Sequence, residues 1–127
     1  MDLIDSLKSE HQQILSLFDQ IDQTTDINVI HQLVKQLEII TSKHLQEEDD
    51  SLYPSFAQSK SQETKQIGTV FSNTMPEYVA DFTKVTATIL NTDTITPEIL
   101  SQYQKIRDKI KNRIIVEENI LFPSFNK

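Results

Sequence analysis

The segments "HLQEE" (44–48) and "RIIVE" (113–117) each place a glutamate four residues after a nitrogen-bearing side chain. On a helix, positions i and i+4 share a face, so His44 and Glu48 would present an imidazole and a carboxylate one turn apart. Both groups are ligands for borderline divalent metals. Arg113 is not, because its guanidinium stays protonated under any reachable condition. The two segments open a near-repeat, "HLQEEDDSLYPSF" (44–56) and "RIIVEENILFPSF" (113–125). Glu48 matches Glu117, Leu52 matches Leu121, and Pro54-Ser55-Phe56 matches Pro123-Ser124-Phe125. The carboxylate is kept and the ligand-capable first letter is changed.

These residues need helices to carry them, and the chain offers four apolar stripes with helical spacing. The first runs from a cap at Asp2 to about Ile21 through Ile4, Leu7, His11, Ile14, Phe18 and Ile21. Its steps alternate between three and four, which keeps one face of a helix. After "TTD" (24–26) the second stripe takes Ile30, Val34, Leu37, Thr41, His44, Glu48 and Ser51, and Pro54 is expected to end it. The polar segment 57–66 reads as a loop or a frayed helix start. The third stripe is Phe71, Met75, Tyr78, Phe82, Val85 and Ile89, with Pro76 either starting a shorter helix or kinking a longer one. Thr96-Pro97-Glu98 is a good helix start. The fourth stripe then follows as Ile99, Tyr103, Ile106, Ile110, Arg113, Glu117 and Ile120, closed by Pro123.

Four amphipathic helices with short connections predict an all-α, antiparallel up-down-up-down four-helix bundle, a single domain over residues 1–127. His11, His44, Glu48, Arg113 and Glu117 all fall where the stripes call for Leu or Ile. Buried ionisable groups need partners, because desolvation costs several kcal/mol per charge. At about 1.5 Å per residue, His11, His44, Arg113 and Tyr78 lie about 12–15 Å from one end of the bundle, which makes them one polar layer. His31 is off that face and reads as a surface residue.

Composition narrows the function. The 127 residues carry a formal charge of −7, which argues against nucleic acid as a partner. No apolar run is long enough to cross a membrane. "MDLIDSLKSE" lacks the basic start and apolar run of a signal peptide, so a cytoplasmic location is expected. With no Cys there are no disulfides, thiolate ligands or thiol nucleophiles. A single Gly and four Pro fit helices better than a sandwich or barrel.

The motifs "LKSEHQQI" (7–14), "HLQEEDDSLYP" (44–54) and "EENILFP" (117–123), taken in order, resemble the hemerythrin-like (HHE cation-binding) domain, and the likeness covers essentially the whole chain. The resemblance implies a four-helix bundle around a non-haem iron centre, typically of two ions, with roles in oxygen, peroxide, nitric oxide or iron sensing. Position by position it implies metal ligation by His11, His44, Glu48 and Glu117. It also marks two departures. Arg113 stands where the fourth helix should offer His, and Glu77-Tyr78 stands where the third usually has an "EH" pair.

Two readings follow. In one, His11, His44, Glu48 and Glu117 hold one metal ion, or two loosely. Fe(II), Mn(II) and Zn(II) all suit that set, and Tyr78 is either a ligand or a hydrogen-bond donor. The protein would then be a binding or sensing module for a metal ion and a diatomic or small oxidant, or an iron-dependent enzyme consuming one. In the other, the core is metal-free. Arg113 would bridge Glu117 and Glu48 and supply the charge an ion once gave. The bundle would then serve a structural or protein-interaction role.

Overall fold

The computed structural model describes residues 2–125, and the chain folds as helices joined by short turns. The long helices are α1 (Leu3–Asp22), α2 (Ile27–Glu47), α4 (Gln62–Leu90) and α5 (Pro97–Val116); a short α3 (Tyr53–Ala57) precedes α4. Each long helix begins at a side-chain cap. Asp2 accepts from the Asp5 amide at 2.8 Å, Asp26 from Asn28 at 2.9 Å, Ser61 from Thr64 at 3.2 Å and Thr96 from Ile99 at 3.2 Å. Such caps satisfy amides that a helix start leaves orphaned, and each contributes about 1 kcal/mol. α1 packs on α2 and α5, and α4 packs on the same two, which closes the four-helix bundle.

Two of the expected boundaries differ. Pro54 does not end the second helix. The chain continues through a π-helical turn at Glu48–Leu52, where the Tyr53 amide reaches back five residues to the Glu48 carbonyl, and then into α3. The near-repeat behaves alike: Glu117–Leu121 is a π turn, and the Phe122 amide bonds the Glu117 carbonyl. A proline ring clashes with the carbonyl four residues back, and widening the preceding turn relieves that clash without stopping the helix. The segment 57–66 is only partly a loop, since Ser61 caps α4 and the helix starts at Gln62. Pro76 lies inside this 29-residue helix, so the longer of the two expected helices is the one formed.

The core divides into two apolar clusters. One holds Ile14, Phe18, Val34, Leu37, Phe82 and Ile106 among others. The other holds Leu7, Leu52, Tyr53, Phe56, Phe71, Leu121 and Phe122. Along the chain, His11, His44, Glu48 and Glu117 fall between members of the two clusters. His31 is half-buried rather than a plain surface residue: its Nε2 lies 2.9 Å from the Ile89 carbonyl and 3.0 Å from that of Thr92, closing the end of α4.

Candidate metal centre

The polar layer gathers His11 from α1, His44 from α2, Glu48 and Glu117 from the first residues of the two π turns, and Arg113 from α5. All five are buried. His11 Nε2 lies 3.1 Å from His44 Nε2 and 3.0 Å from Glu117 Oε1, and His44 Nε2 lies 3.8 Å from that same oxygen. These three ligand atoms lie within 4.8 Å of one another, as atoms sharing a metal ion must. Bonds of about 2.0–2.1 Å to a divalent ion would separate adjacent donors by about 3 Å. The donor set therefore fits a cation.

The outward nitrogens are occupied. His11 Nδ1 is 2.7 Å from Glu118 Oε2, and His44 Nδ1 is 2.9 Å from Glu10 Oε1. An ionised carboxylate only accepts, so each Nδ1 carries a proton and donates it. In a neutral ring Nε2 is then a bare lone pair. Two such lone pairs and the Glu117 oxygen converge on one small volume, which requires a proton or a metal ion between them.

Glu48 sharpens the requirement. It is 0% exposed, and neither carboxylate oxygen has a hydrogen-bond partner. Its Oε1 comes within 3.4 Å of His44 Nε2, without hydrogen-bond geometry. Burial, reinforced by the charge of Glu117, pushes the Glu48 carboxyl well above the usual range. Glu117 goes the other way. Burial would raise it, but its close contacts with His11 and His44 outweigh that and hold it near 2. Burial likewise disfavours the His44 imidazolium, yet the carboxylates of Glu117, Glu48 and Glu10 lift it to about 9. The protein without an ion thus keeps a proton on His44 where a cation fits.

Arg113 does not bridge the two glutamates as expected. Its Nε donates to Glu117 Oε2 at 2.9 Å, but its other nitrogens turn toward α4 and α3. Nη1 donates to Thr74 Oγ1 at 2.6 Å, and Nη2 donates to the Phe71 carbonyl at 2.7 Å and the Tyr53 hydroxyl at 3.3 Å. The guanidinium also lies over the Phe71 and Tyr78 rings, 4.7 and 5.1 Å from their centroids. Four oxygens take four of its five N–H donors, and none of these bonds goes to Glu48.

Of the third-helix positions, Tyr78 is half-buried and lines a cavity beside the cluster, whereas Glu77 faces away. Glu77 is 73% exposed and sits 3.7 Å from Lys109 Nζ, so the Pro76 helix does not redirect it inward. The cavity measures about 50 Å³, and His11, His44, Glu48, Arg113 and Glu117 form its polar side. Met75, Val79, Phe82 and Ile110 form an apolar side. Sequence reasoning missed Glu10, Glu118, Thr74 and Tyr53. Adjacency was the signal for the first two: Glu10 precedes His11 and Glu118 follows Glu117.

A helical bundle whose core holds converging imidazoles and carboxylates is the architecture of metal-binding bundle proteins. The chain belongs to the hemerythrin family: the hemerythrin HHE cation binding domain matches residues 2–125. Comparison with curated proteins and with solved structures gave no match. Among the described residues, no helix is long and apolar enough to cross a membrane.

Proposed function

We propose that this protein is a sensing or carrier module that holds one divalent metal ion, with His11, His44, Glu48 and Glu117 as ligands and Arg113 in the place of a second ion. The observation that carries this reading is Glu48, a fully buried carboxylate with both oxygens unpartnered beside converging imidazole lone pairs. Buried polar groups are almost always paired, and a bound cation would give these oxygens a partner. Glu117 supports the stoichiometry. Its Oε1 faces the two imidazoles and its Oε2 faces the guanidinium, so with an ion bound the carboxylate would lie between that ion and a fixed organic cation.

Two imidazoles and two carboxylates suit Fe(II), Mn(II) and Zn(II), and the relative affinities of such ions do not single one out. Iron is the choice favoured by the family likeness, and when bound it would supply a redox couple and an open coordination position. The protein's own contribution is to fix the ligands, keep bulk water out and limit what approaches. A cavity of about 50 Å³ has room for a water or two or a diatomic molecule, but not for a larger substrate. That favours binding or sensing over turnover of an organic compound.

The test is elemental analysis of protein purified from cells supplemented with iron, manganese or zinc. One ion per chain in the wild type, absent from His44→Ala, is the expected result. Wild-type protein without metal under all three conditions would leave the Arg113 network as a metal-free structural core.

A further inference from the structure

Resting on that reading of the site, we infer that Glu10 and Glu118 are positioning residues, which fix the tautomers of His44 and His11 so that both Nε2 lone pairs meet at one point. Neither glutamate lies on the inward stripe, and neither carboxylate reaches the converging atoms. Each instead spans a helix interface. Glu10 of α1 accepts from His44 Nδ1 of α2 at 2.9 Å, and Glu118, in the π turn after α5, accepts from His11 Nδ1 of α1 at 2.7 Å. Each imidazole is therefore held by a carboxylate from a neighbouring helix.

The remaining contacts stiffen the arrangement. Glu10 is buried, and its second oxygen, which has no hydrogen-bond partner, lies at ion-pair distance, 3.4 Å, from Lys43 Nζ. The Phe122 ring stacks on His11 at 5.3 Å and 16° between planes, which opposes rotation of the imidazole. A neutral histidine side chain left to itself favours a proton on Nε2, the atom a metal would need. Both carboxylates reverse that preference. A ligand whose wrong nitrogen is protonated must lose or move that proton before it can bind, and outer partners of this kind typically change metal affinity about 10–100-fold.

The experiment uses the full chain and two readouts. The first is zinc affinity by competition with a chelating dye. The second is the ¹⁵N spectrum of the histidine rings in metal-free protein, held above the pH at which His44 loses its extra proton. Glu118→Ala is expected to lower zinc affinity about 10–100-fold and to move the His11 proton from Nδ1 to Nε2. Glu10→Ala should do the same to His44. Glu118→Gln should recover part of both effects, because an amide oxygen still accepts. Should Glu10→Ala fail to fold, Glu118→Ala still decides, since that side chain is 29% exposed. Unchanged ring tautomers in Glu118→Ala would overturn the assignment, as would wild-type zinc affinity in the folded variants. If the wild type binds no zinc, the metal reading fails, while the ring spectra still test the positioning role.

Discussion

Glu48 is fully buried with no protein donor to its carboxylate, so the folded chain without metal must keep it protonated or tolerate an unpaired charge. Glu48→Leu removes that demand. We expect its metal-free stability to equal or exceed that of the wild type by up to about 4 kcal/mol, with metal-dependent stabilisation lost; urea denaturation with and without metal reads both. Arg113→Ala should act in the opposite sense. It strips the guanidinium from Glu117, Thr74, Tyr53 and the Phe71 carbonyl, and breaking such a buried pair costs about 3–5 kcal/mol in the same assay. His44 sets the pH dependence. Its folded pKa of about 9 exceeds the ordinary 6.5 under the influence of Glu117, Glu48 and Glu10. Its stabilisation is therefore complete below pH 6.5 and disappears as pH rises to about 9, a loss of about 3 kcal/mol in metal-free protein. Glu117, held near 2, contributes stability that is lost only as pH falls below 4.5. Denaturation midpoints across this range should fall on the alkaline side without metal. With metal in place of the His44 proton, the alkaline loss should shrink.

At the level of helices, prolines and one glycine shape what the site can do. The π turns follow from Pro54 and Pro123, and they begin at Glu48 and Glu117, so the two carboxylates stand where the helix widens. Gly68 makes a sharp prediction. Gly→Ala inside a helix ordinarily stabilises by about 1 kcal/mol. Here an added Cβ would stand 2.5 Å from the Phe56 Cβ, an atom tied to the α3 backbone that cannot swing aside. Gly68→Ala should therefore destabilise, by about 1–3 kcal/mol in thermal or urea unfolding. The four long helices were legible because apolar residues recur with helical spacing, and His11, His44, Glu48 and Glu117 were legible because they interrupt those stripes. Glu10 and Glu118 were not, since they lie beside the stripe and reach an imidazole across an interface. The partners of Arg113 were harder still. One is the Phe71 carbonyl, a backbone group that no side-chain pattern announces, and Thr74 and Tyr53 read only as ordinary helix residues. The α3 extension was missed for a local reason: a proline usually signals a stop, and only the wider π turn lets the chain continue through it.

Taken whole, the bundle places a charged layer between two apolar clusters, and it can do so only if something balances the charge. Arg113 balances one oxygen of Glu117, and protons on His44 and Glu48, or a metal ion, must balance the rest. An ion that binds only the folded state stabilises it by mass action, about 2.7 kcal/mol at a hundredfold excess over its dissociation constant. Added metal should accordingly raise the melting temperature of the wild type and leave that of His44→Ala unchanged. The central claim is one metal ion per chain, with a guanidinium in place of the second. Its most direct test is metal content per chain, measured side by side for the wild type, His44→Ala and Arg113→His. The account predicts one ion in the wild type, none in His44→Ala and a second ion admitted by Arg113→His. A wild type without metal, beside an Arg113→His variant that binds it, would contradict the account and show that the guanidinium had displaced the metal altogether.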